Sequence, residues 1–202
     1  MWFRIRDRLQ KKHLLLNNNS AISTRIPGSN LIWFGLKNDD APVLIDLYSN
    51  LTDASESSHQ VVYRLRQDIC AIASAHGHFG QQLHALTGTM PGVFDEQIRH
   101  LGCLRANNSY AETERNLRHG TNLICIDNEC LVLGMTAERL MLNAELFEKC
   151  ATACTLAYAS GKTLTKIPWI IRYLALGRLR KDQKNARKKV ARGDLPDQSV
   201  GY

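Results

Sequence analysis

Residues 55–78 read SESSHQVVYRLRQDICAIASAHGH, and this stretch decides the fold. Three apolar residues at helical spacing predict a helix at about 57–66, for which Ser55 or Ser57 is a candidate N-cap. The apolar run that follows predicts a strand over 69–76. A helix that leads directly into a strand, among further short strands, is typical of an α/β domain built in layers.

The same stretch carries residues that suit a metal-dependent acid/base site. Glu56 comes twenty residues before His76, and His78 follows two positions later. Because alternate side chains of a strand share a face, His76 and His78 would be able to bind one cation together. Histidine is common, however, and two histidines on a strand are by chance more often polar residues on a solvated face. The spacing alone leaves both interpretations open.

Outward from this stretch, short strands alternate with helices. Strands are predicted at 21–25, 31–36 and 42–48 and a hairpin over 123–133, with helices over 2–12, from Phe79, over 136–159 and from Pro168. Gly161 ends the longest of these helices. Short strands mixed with a few helices predict an α/β domain with a largely antiparallel sheet.

The composition predicts one globular core. The chain has 202 residues, 44% of them apolar, which is enough for one sizeable core. No apolar run approaches the roughly 20 residues that cross a bilayer, and the N-terminus lacks the apolar segment of a secretory signal. Six cysteines without a CxxC pair predict reduced thiols. We therefore expect a cytoplasmic protein.

The positive charge is concentrated at the C-terminal end. Residues 162–202 hold 11 Lys and Arg against 3 Asp and Glu, whereas residues 1–161 hold 15 against 16. We therefore divide the chain into a neutral domain and a basic C-terminal helix and tail. A basic helix with an apolar stripe suits nucleic acid, an anionic membrane or an acidic partner. We favour a simpler interpretation, in which its apolar half packs on the chain's own body or on a neighbouring subunit.

Five segments, taken in order, resemble motifs of the class II aldolase/adducin family. They are 22–25 for the end of G-N-x-S-x-R, 55–69 for S-E-x-x-x-H-x-x-x-Y-x-x-R-P-D, 71–86 for a strand and helix with H-x-H, 128–136 for N-H-G, and 144–151 for a helix with a-e-x-l-E-x-x-A. The likeness covers about residues 18–160. It implies a three-layer α/β/α fold around a central, mostly antiparallel mixed sheet.

The resemblance implies a divalent cation, usually zinc, that is held by three histidines. The third of these falls on Glu129. The first two fall on His76 and His78 if two extra residues are allowed before the strand, and on Ser74 and His76 if no gap is allowed. The metal ligands that we expect are His76, His78 and Glu129, and such a set suits zinc, iron(II) or manganese.

The resemblance also implies roles in proton transfer and substrate binding. Glu56 falls on the family's acid/base glutamate, and Tyr110 is the candidate for a tyrosine that donates a proton. Ser23 and Ser55 fall on substrate-binding positions. The substrate implied is a small hydroxy-carbonyl molecule similar to a sugar phosphate.

Three functions are compatible with these residues. The first is a metal-dependent lyase or epimerase that acts through an enediolate. The second is a catalytically inactive family member that serves as a binding or assembly module, since the ligand set departs from the family pattern. Ala21 and Ala54 also replace an asparagine and a serine of the phosphate-binding pattern. The third is binding of nucleic acid or an anionic membrane by the basic tail. The resemblance further implies a homo-oligomer, usually a cyclic tetramer.

Overall fold

The computed structural model describes residues 1–49, 54–87, 89–103, 110–126, 129–161 and 163–197. In chain order the helices and strands are α1 (Trp2–Lys11), β1 (Ala21–Arg25), β2 (Leu31–Leu36), β3 (Val43–Asp46), α2 (Ala54–Leu65), β4 (Ala71–Ser74), α3 (His78–Thr87), α4 (Asp95–Leu101), α5 (Tyr110–Arg118), β5 (Leu123–Ile126), β6 (Glu129–Gly134), α6 (Ala137–Ala159) and α7 (Trp169–Ala191).

The described strands form one sheet in the order β3-β2-β1-β4-β6-β5. Each pairing between neighbouring strands is antiparallel. Outside the named strands, an isolated parallel bridge joins Leu15 to His76. The prediction of a mostly antiparallel sheet is therefore confirmed.

Alternate residues of the strands belong to two hydrophobic clusters. Ile22 and Ala73 belong to the cluster that contains buried residues of α1, α3, α4 and α6. Ile72 and Leu131 belong to the cluster that contains residues of α2 and α5. Because successive side chains of a strand point to opposite faces, the two clusters lie against opposite faces of the sheet. This alternation decides which strand residues can meet at a site.

Most predicted elements are present, with differences around the central strand. Helix α2 begins at Ala54, three residues before its predicted start. The strand predicted over 69–76 is shorter, because β4 ends at Ser74 and α3 already begins at His78. The sequence patterns do not predict the short helices α4 and α5, whose apolar positions are few. The difference at β4 changes the geometry of the expected metal site.

The turn between β6 and α6 allows an unusually close approach of strand and helix. The Oγ1 of Thr136 caps α6 and accepts a hydrogen bond from the Arg139 N at 3.1 Å. A Cβ added to Gly134 would lie 2.4 Å from the Leu140 N, so no larger residue fits there without moving the helix. The contact fixes α6 against β6 and thereby places Glu148, further along the helix, beside the start of α3.

Helix α7 lies along α4. Its buried residues Ala175, Leu179, Ala186 and Val190 recur at helical spacing on one face. Within the part of the chain that the structure describes, no helix is both long and apolar enough to span a membrane.

Candidate functional site

His76 lies just beyond β4, beside the segment that follows α1. Its backbone N donates to the Leu14 O at 2.9 Å, and only 2% of the residue is exposed. The ring Nδ1 lies 3.3 Å from the O of Gly77, and Nε2 lies 3.4 Å from the Nδ2 of Asn17. Burial lowers the pKa of His76 below its ordinary value. The neutral ring therefore donates through Nδ1 and presents Nε2 as an acceptor.

Glu129 lies next to His76 on the neighbouring strand. The register pairs Ser74 with Leu131, and the Ala75 N donates to the Cys130 O at 3.1 Å. The next residues in this register are His76 and Glu129, which therefore share a face of the sheet. The charges of Glu148 and Glu129 partly oppose the lowering of the His76 pKa by burial. One imidazole and one carboxylate are thus adjacent.

Glu148 of α6 caps the start of α3. Its carboxylate accepts hydrogen bonds from the backbone N of Gly77, Phe79 and Gly80, each at 2.9 Å. A Cβ added to Gly77 would lie 2.3 Å from the Glu148 carboxyl carbon, so the contact needs a residue without a side chain. Negative charge at a helix N-terminus is favourable because the unpaired N–H groups and the helix dipole point toward it. The start of α3 is therefore firmly defined.

The expectation that His76 and His78 lie on one strand is wrong. Residue His78 begins α3 and is exposed, whereas His76 is buried beyond the end of β4. The physical reason is the cap from Glu148, which turns the chain into a helix where the sequence pattern predicts a continuing strand. Among the described residues, no three His, Cys, Asp or Glu side chains are grouped so that they could hold a metal ion. His76, His78 and Glu129 do not form such a group, although His78 and Glu129 are both close enough to His76 to affect its pKa, and their role as metal ligands stays a prediction.

Ser74 shares the face of His76 instead. It is the last residue of β4, two positions before His76, and 3% of it is exposed. Its Oγ is buried and has no hydrogen-bond partner within the described part of the chain. The ungapped alignment with the H-x-H motif, which places Ser74 and His76 on the two histidine positions, fits this geometry. A neutral hydroxyl is a far weaker zinc ligand than an imidazole.

Ser23 belongs to the buried strand β1 and to a fully buried polar cluster. Its Oγ is 2.7 Å from the His59 Nδ1 and 3.0 Å from the Tyr63 Oη. Burial lowers the pKa of His59 to about 3 and raises the pKa of Tyr63, so both side chains are neutral. None of the three side chains is exposed, and the substrate-binding role expected for Ser23 stays a prediction. They link β1 to α2.

Three further predicted site residues lie at the starts of helices. Ser55 and Glu56 belong to the first turn of α2, and Tyr110 is the first residue of α5. Their side chains lie outside the described residues. The predicted roles of Glu56 in acid/base chemistry, of Tyr110 in proton donation and of Ser55 in substrate binding therefore stay predictions.

Sequence reasoning missed two residues that organise this region. His59 and Tyr63 match the H-x-x-x-Y part of the family motif, which was the available signal, but no pattern shows that both contact Ser23. Glu148 falls on the glutamate of the a-e-x-l-E-x-x-A motif, and this was the available signal. Its partners, however, are backbone N–H groups about seventy residues earlier, which no side-chain pattern shows.

Two cavities lie away from His76 and Glu129. One, of about 240 Å³, is lined by residues such as Thr136, Arg139 and Lys189 between α6 and α7. The other, of about 250 Å³, is lined by residues such as Arg25 and Tyr48. Neither cavity is lined by His76 or Glu129.

The order of strands and helices defines a class II aldolase-like fold, and solved structures share it. An L-fuculose 1-phosphate aldolase matches with a TM-score of 0.73 at 18% identity, over 89% of this chain and 94% of that chain. An L-fuculose 1-phosphate aldolase from Glaciozyma antarctica PI12 matches with a TM-score of 0.70 at 14% identity, over 96% and 89%. YgbL from Klebsiella pneumoniae matches with a TM-score of 0.68 at 15% identity, over 86% and 95%.

These likenesses confirm the predicted class II aldolase/adducin-like fold. No family model matches the sequence, and no curated protein matches it either. At such low identity the likeness establishes the fold alone, and function has to be argued from the site.

Replacing Glu148 with glutamine should loosen the start of α3. The amide keeps one acceptor oxygen but loses the charge, and hydrogen bonds to charged groups contribute about 1.5–3 kcal/mol each. We expect the free energy of unfolding in urea to fall by about 1–3 kcal/mol. Backbone amides of Gly77, Phe79 and Gly80 should exchange faster with solvent hydrogen. The variant Glu145→Gln, in the same helix, removes only a surface pairing with Arg8 and should cost less. Equal effects of the two substitutions would contradict this role of Glu148.

Proposed function

We propose that this chain is a catalytically inactive member of the class II aldolase fold that serves as a binding or assembly module. The observation that carries the proposal is the state of the three metal positions. Ser74, His76 and Glu129 occupy the face of the sheet where the resemblance implies three histidines. His78, which would complete an alternative set, is exposed at the start of α3.

The donor set does not fit the metal that the family implies. A catalytic zinc is held by three protein ligands that leave one position open for water or substrate. Here one neutral imidazole and one carboxylate are adjacent, and the third position offers only the Ser74 hydroxyl. Polarisation of a carbonyl and stabilisation of an enediolate would need a firmly held cation. We therefore derive no catalytic step through a metal.

Recruitment of His78 would disrupt the start of α3. To reach the face of His76, the chain from Gly77 onward would have to continue as a strand. That change would break the three hydrogen bonds to Glu148, each of which contributes about 1.5–3 kcal/mol. A lyase or epimerase that uses His76, His78 and Glu129 is thus disfavoured relative to a binding module.

The assembly part of the proposal is a homo-oligomer, tetrameric by resemblance, of subunits with the three-layer α/β/α arrangement. Hydrophobic clusters on both faces of the sheet support the layers. Trp33 and Leu44 face each other across β2 and β3 and are 41% and 48% exposed, which suits a contact with a second subunit. Small-molecule binding in such an assembly would not require catalysis.

Zinc retention tests the proposal directly. Purified protein, incubated with one equivalent of zinc and desalted, should keep less than about 0.1 equivalent by elemental analysis, since it lacks three strong ligands. The variant Ser74→His/Glu129→His, which rebuilds the three-histidine set around His76, should keep about one equivalent. The single variant Ser74→His is the matched control and should keep less than the double variant.

Folding of each variant is checked by circular dichroism, because Ser74 is buried and a larger side chain there costs stability. About one equivalent of zinc in the unaltered chain, lost on His76→Ala, would overturn the proposal and restore the metal-dependent enzyme as the better function.

A further inference from the structure

Helix α7 is docked on the body of the protein from Ala175 onward. Asp182 pairs with Arg99 of α4 at 2.5 Å, and the Gln183 Nε2 donates to the Gly120 O at 2.8 Å. The Gly28 N donates to the Val190 O at 3.0 Å. These contacts hold the helix in a fixed orientation relative to the sheet.

The first two turns of α7 are largely uncovered. Trp169 is 77% exposed, Tyr173 70%, Leu174 58% and Ile170 52%. The apolar half of this helix therefore packs on the chain's own body only in part, through Ala175 and Leu179, and packing on a neighbouring subunit stays a prediction. Exposed apolar groups that cluster in this way mark an interaction surface, because each is costly to leave in water.

The same helix carries the excess charge of the chain. Residues 169–191 include eight Lys and Arg against one aspartate, a net charge of +7 that equals that of the whole chain. The aspartate is Asp182, which Arg99 already neutralises. Within the described ranges, seven of these basic side chains are exposed and make no ion pair: Arg172, Arg178, Arg180, Lys181, Lys184, Arg187 and Lys188.

Apolar and basic groups follow one another along the outward stripe of the helix. Trp169 and Tyr173 are one turn apart, and Arg180 and Lys184 continue the stripe at steps of seven and four residues. The helix has 23 residues and is about 35 Å long. Its first third is mostly aromatic and apolar, and its remainder is mostly basic. A partner must therefore offer an apolar layer beside a negatively charged one.

We propose that α7 docks this stripe on the surface of an anionic phospholipid bilayer. Trp and Tyr side chains favour the interface between headgroups and acyl chains, and Lys and Arg contact anionic headgroups. The aromatic turns enter the interface, while the basic turns lie along the headgroups. The helix lies on the membrane, and the body stays in water.

Two other partners, a second copy of this chain and a nucleic acid duplex, match the surface of α7 less well than an anionic bilayer does. A second copy that packed the same stripe on itself, in an isologous contact, would bring Arg172 and Arg178 of both chains together, which like charges oppose, and a heterologous contact, such as a cyclic tetramer makes, would show as self-association without vesicles. A nucleic acid duplex offers phosphates to the basic turns but no apolar layer for Trp169 and Leu174. The surface does not include the metal positions, so the proposal stands whether or not the chain binds metal.

Vesicle flotation tests the proposal on the full chain. Vesicles of phosphatidylcholine with 30% phosphatidylserine should carry the protein upward, roughly a hundredfold more strongly than pure phosphatidylcholine at about 0.1 M salt. The variant Arg178→Gln/Arg180→Gln/Lys181→Gln should bind about a hundredfold more weakly, since each basic residue near the surface contributes about fivefold. Only Trp169 of the three tryptophans should show a blue shift of fluorescence on binding, measured with Trp2→Phe and Trp33→Phe backgrounds.

An apolar variant and a matched control separate the possible partners. Trp169→Ser/Tyr173→Ser/Leu174→Ser should lose binding to the anionic vesicles, whereas Leu156→Ser/Tyr158→Ser, which also removes exposed apolar residues, should keep it. The proposal is overturned if the vesicles leave the unaltered protein in the sample layer. Normal vesicle binding by Trp169→Ser/Tyr173→Ser/Leu174→Ser, together with DNA binding that depends steeply on salt, would indicate a nucleic-acid partner and also overturn the proposal. Loss of self-association in this variant without vesicles would indicate a second copy of the chain and overturn it as well.

Discussion

Replacing Asp68 with alanine is expected to lower the free energy of unfolding by about 3–5 kcal/mol, because it leaves a buried guanidinium without its counter-charge. Arg66 and Asp68 form a bidentate pair with distances of 2.8 and 2.7 Å, and both side chains are buried. The guanidinium also donates to the Thr121 O at 2.6 Å and to the Asn122 Oδ1 at 2.9 Å. It thereby joins the end of α2 to the turn before β5.

Urea unfolding measures this loss, and two further variants identify its cause. Glu114→Ala removes an exposed pairing with Arg118 within α5 and should lower the free energy of unfolding by less than about 1 kcal/mol. Arg66→Met/Asp68→Leu removes both buried charges, so it should recover part of the stability that Asp68→Ala loses. If the double variant is no more stable than Asp68→Ala, the buried charge is not the cause.

Acid should destabilise this protein well before its carboxylates are fully protonated. Burial lowers the pKa of His59 to about 3, and burial together with Arg139 and Arg99 lowers the pKa of His100 to about 4. Burial also lowers the pKa of His76. Their pKa in the unfolded chain is near 6.5, so the unfolded state binds more protons below that pH. The contribution of these neutral histidines to the free energy of unfolding is thus fully present above pH 6.5, and it is lost progressively as the pH falls toward 4.

The slope of stability against pH tests this assignment. Each of these histidines contributes about 1.4 kcal/mol per pH unit once the unfolded chain is fully protonated. We expect His59→Gln to lower this slope by that amount between pH 4.5 and 5.5, whatever its effect on stability at pH 7. His119→Gln, at the surface, is the control. A slope unchanged by His59→Gln would show that His59 is accessible to protons in the folded protein.

The fold could be predicted largely from sequence because local patterns determine it. The strand with Ser23, the helix with Val62 and the long helix after Thr136 each repeat apolar residues at the period of their element. The short helices α4 and α5 lack such a repeat. Their positions depend on tertiary contacts, such as the Asn122 Nδ2 that donates to the His100 O at 2.8 Å.

The site was harder to predict, because its geometry depends on one residue distant in the chain. The pattern of Ile72, Ser74 and His76 predicts a strand, and nothing local shows where it ends. The end is set by Glu148, about seventy residues later, which binds the backbone N of Gly77 and Phe79. A shift of two residues in the end of this strand decides whether Ser74 or His78 shares the face of His76. It therefore decides whether a second histidine is available there as a metal ligand.

The cap on α3 also limits which ligands can bind next to His76. The first N–H groups of a helix form a natural pocket for phosphate or carboxylate. Here that pocket is filled by the Glu148 side chain. Because Glu148 belongs to the same chain, its effective concentration at the pocket is high and does not depend on the protein concentration. A phosphorylated small molecule would have to displace this internal competitor, so a ligand bound near His76 should be uncharged or should place its anionic group elsewhere.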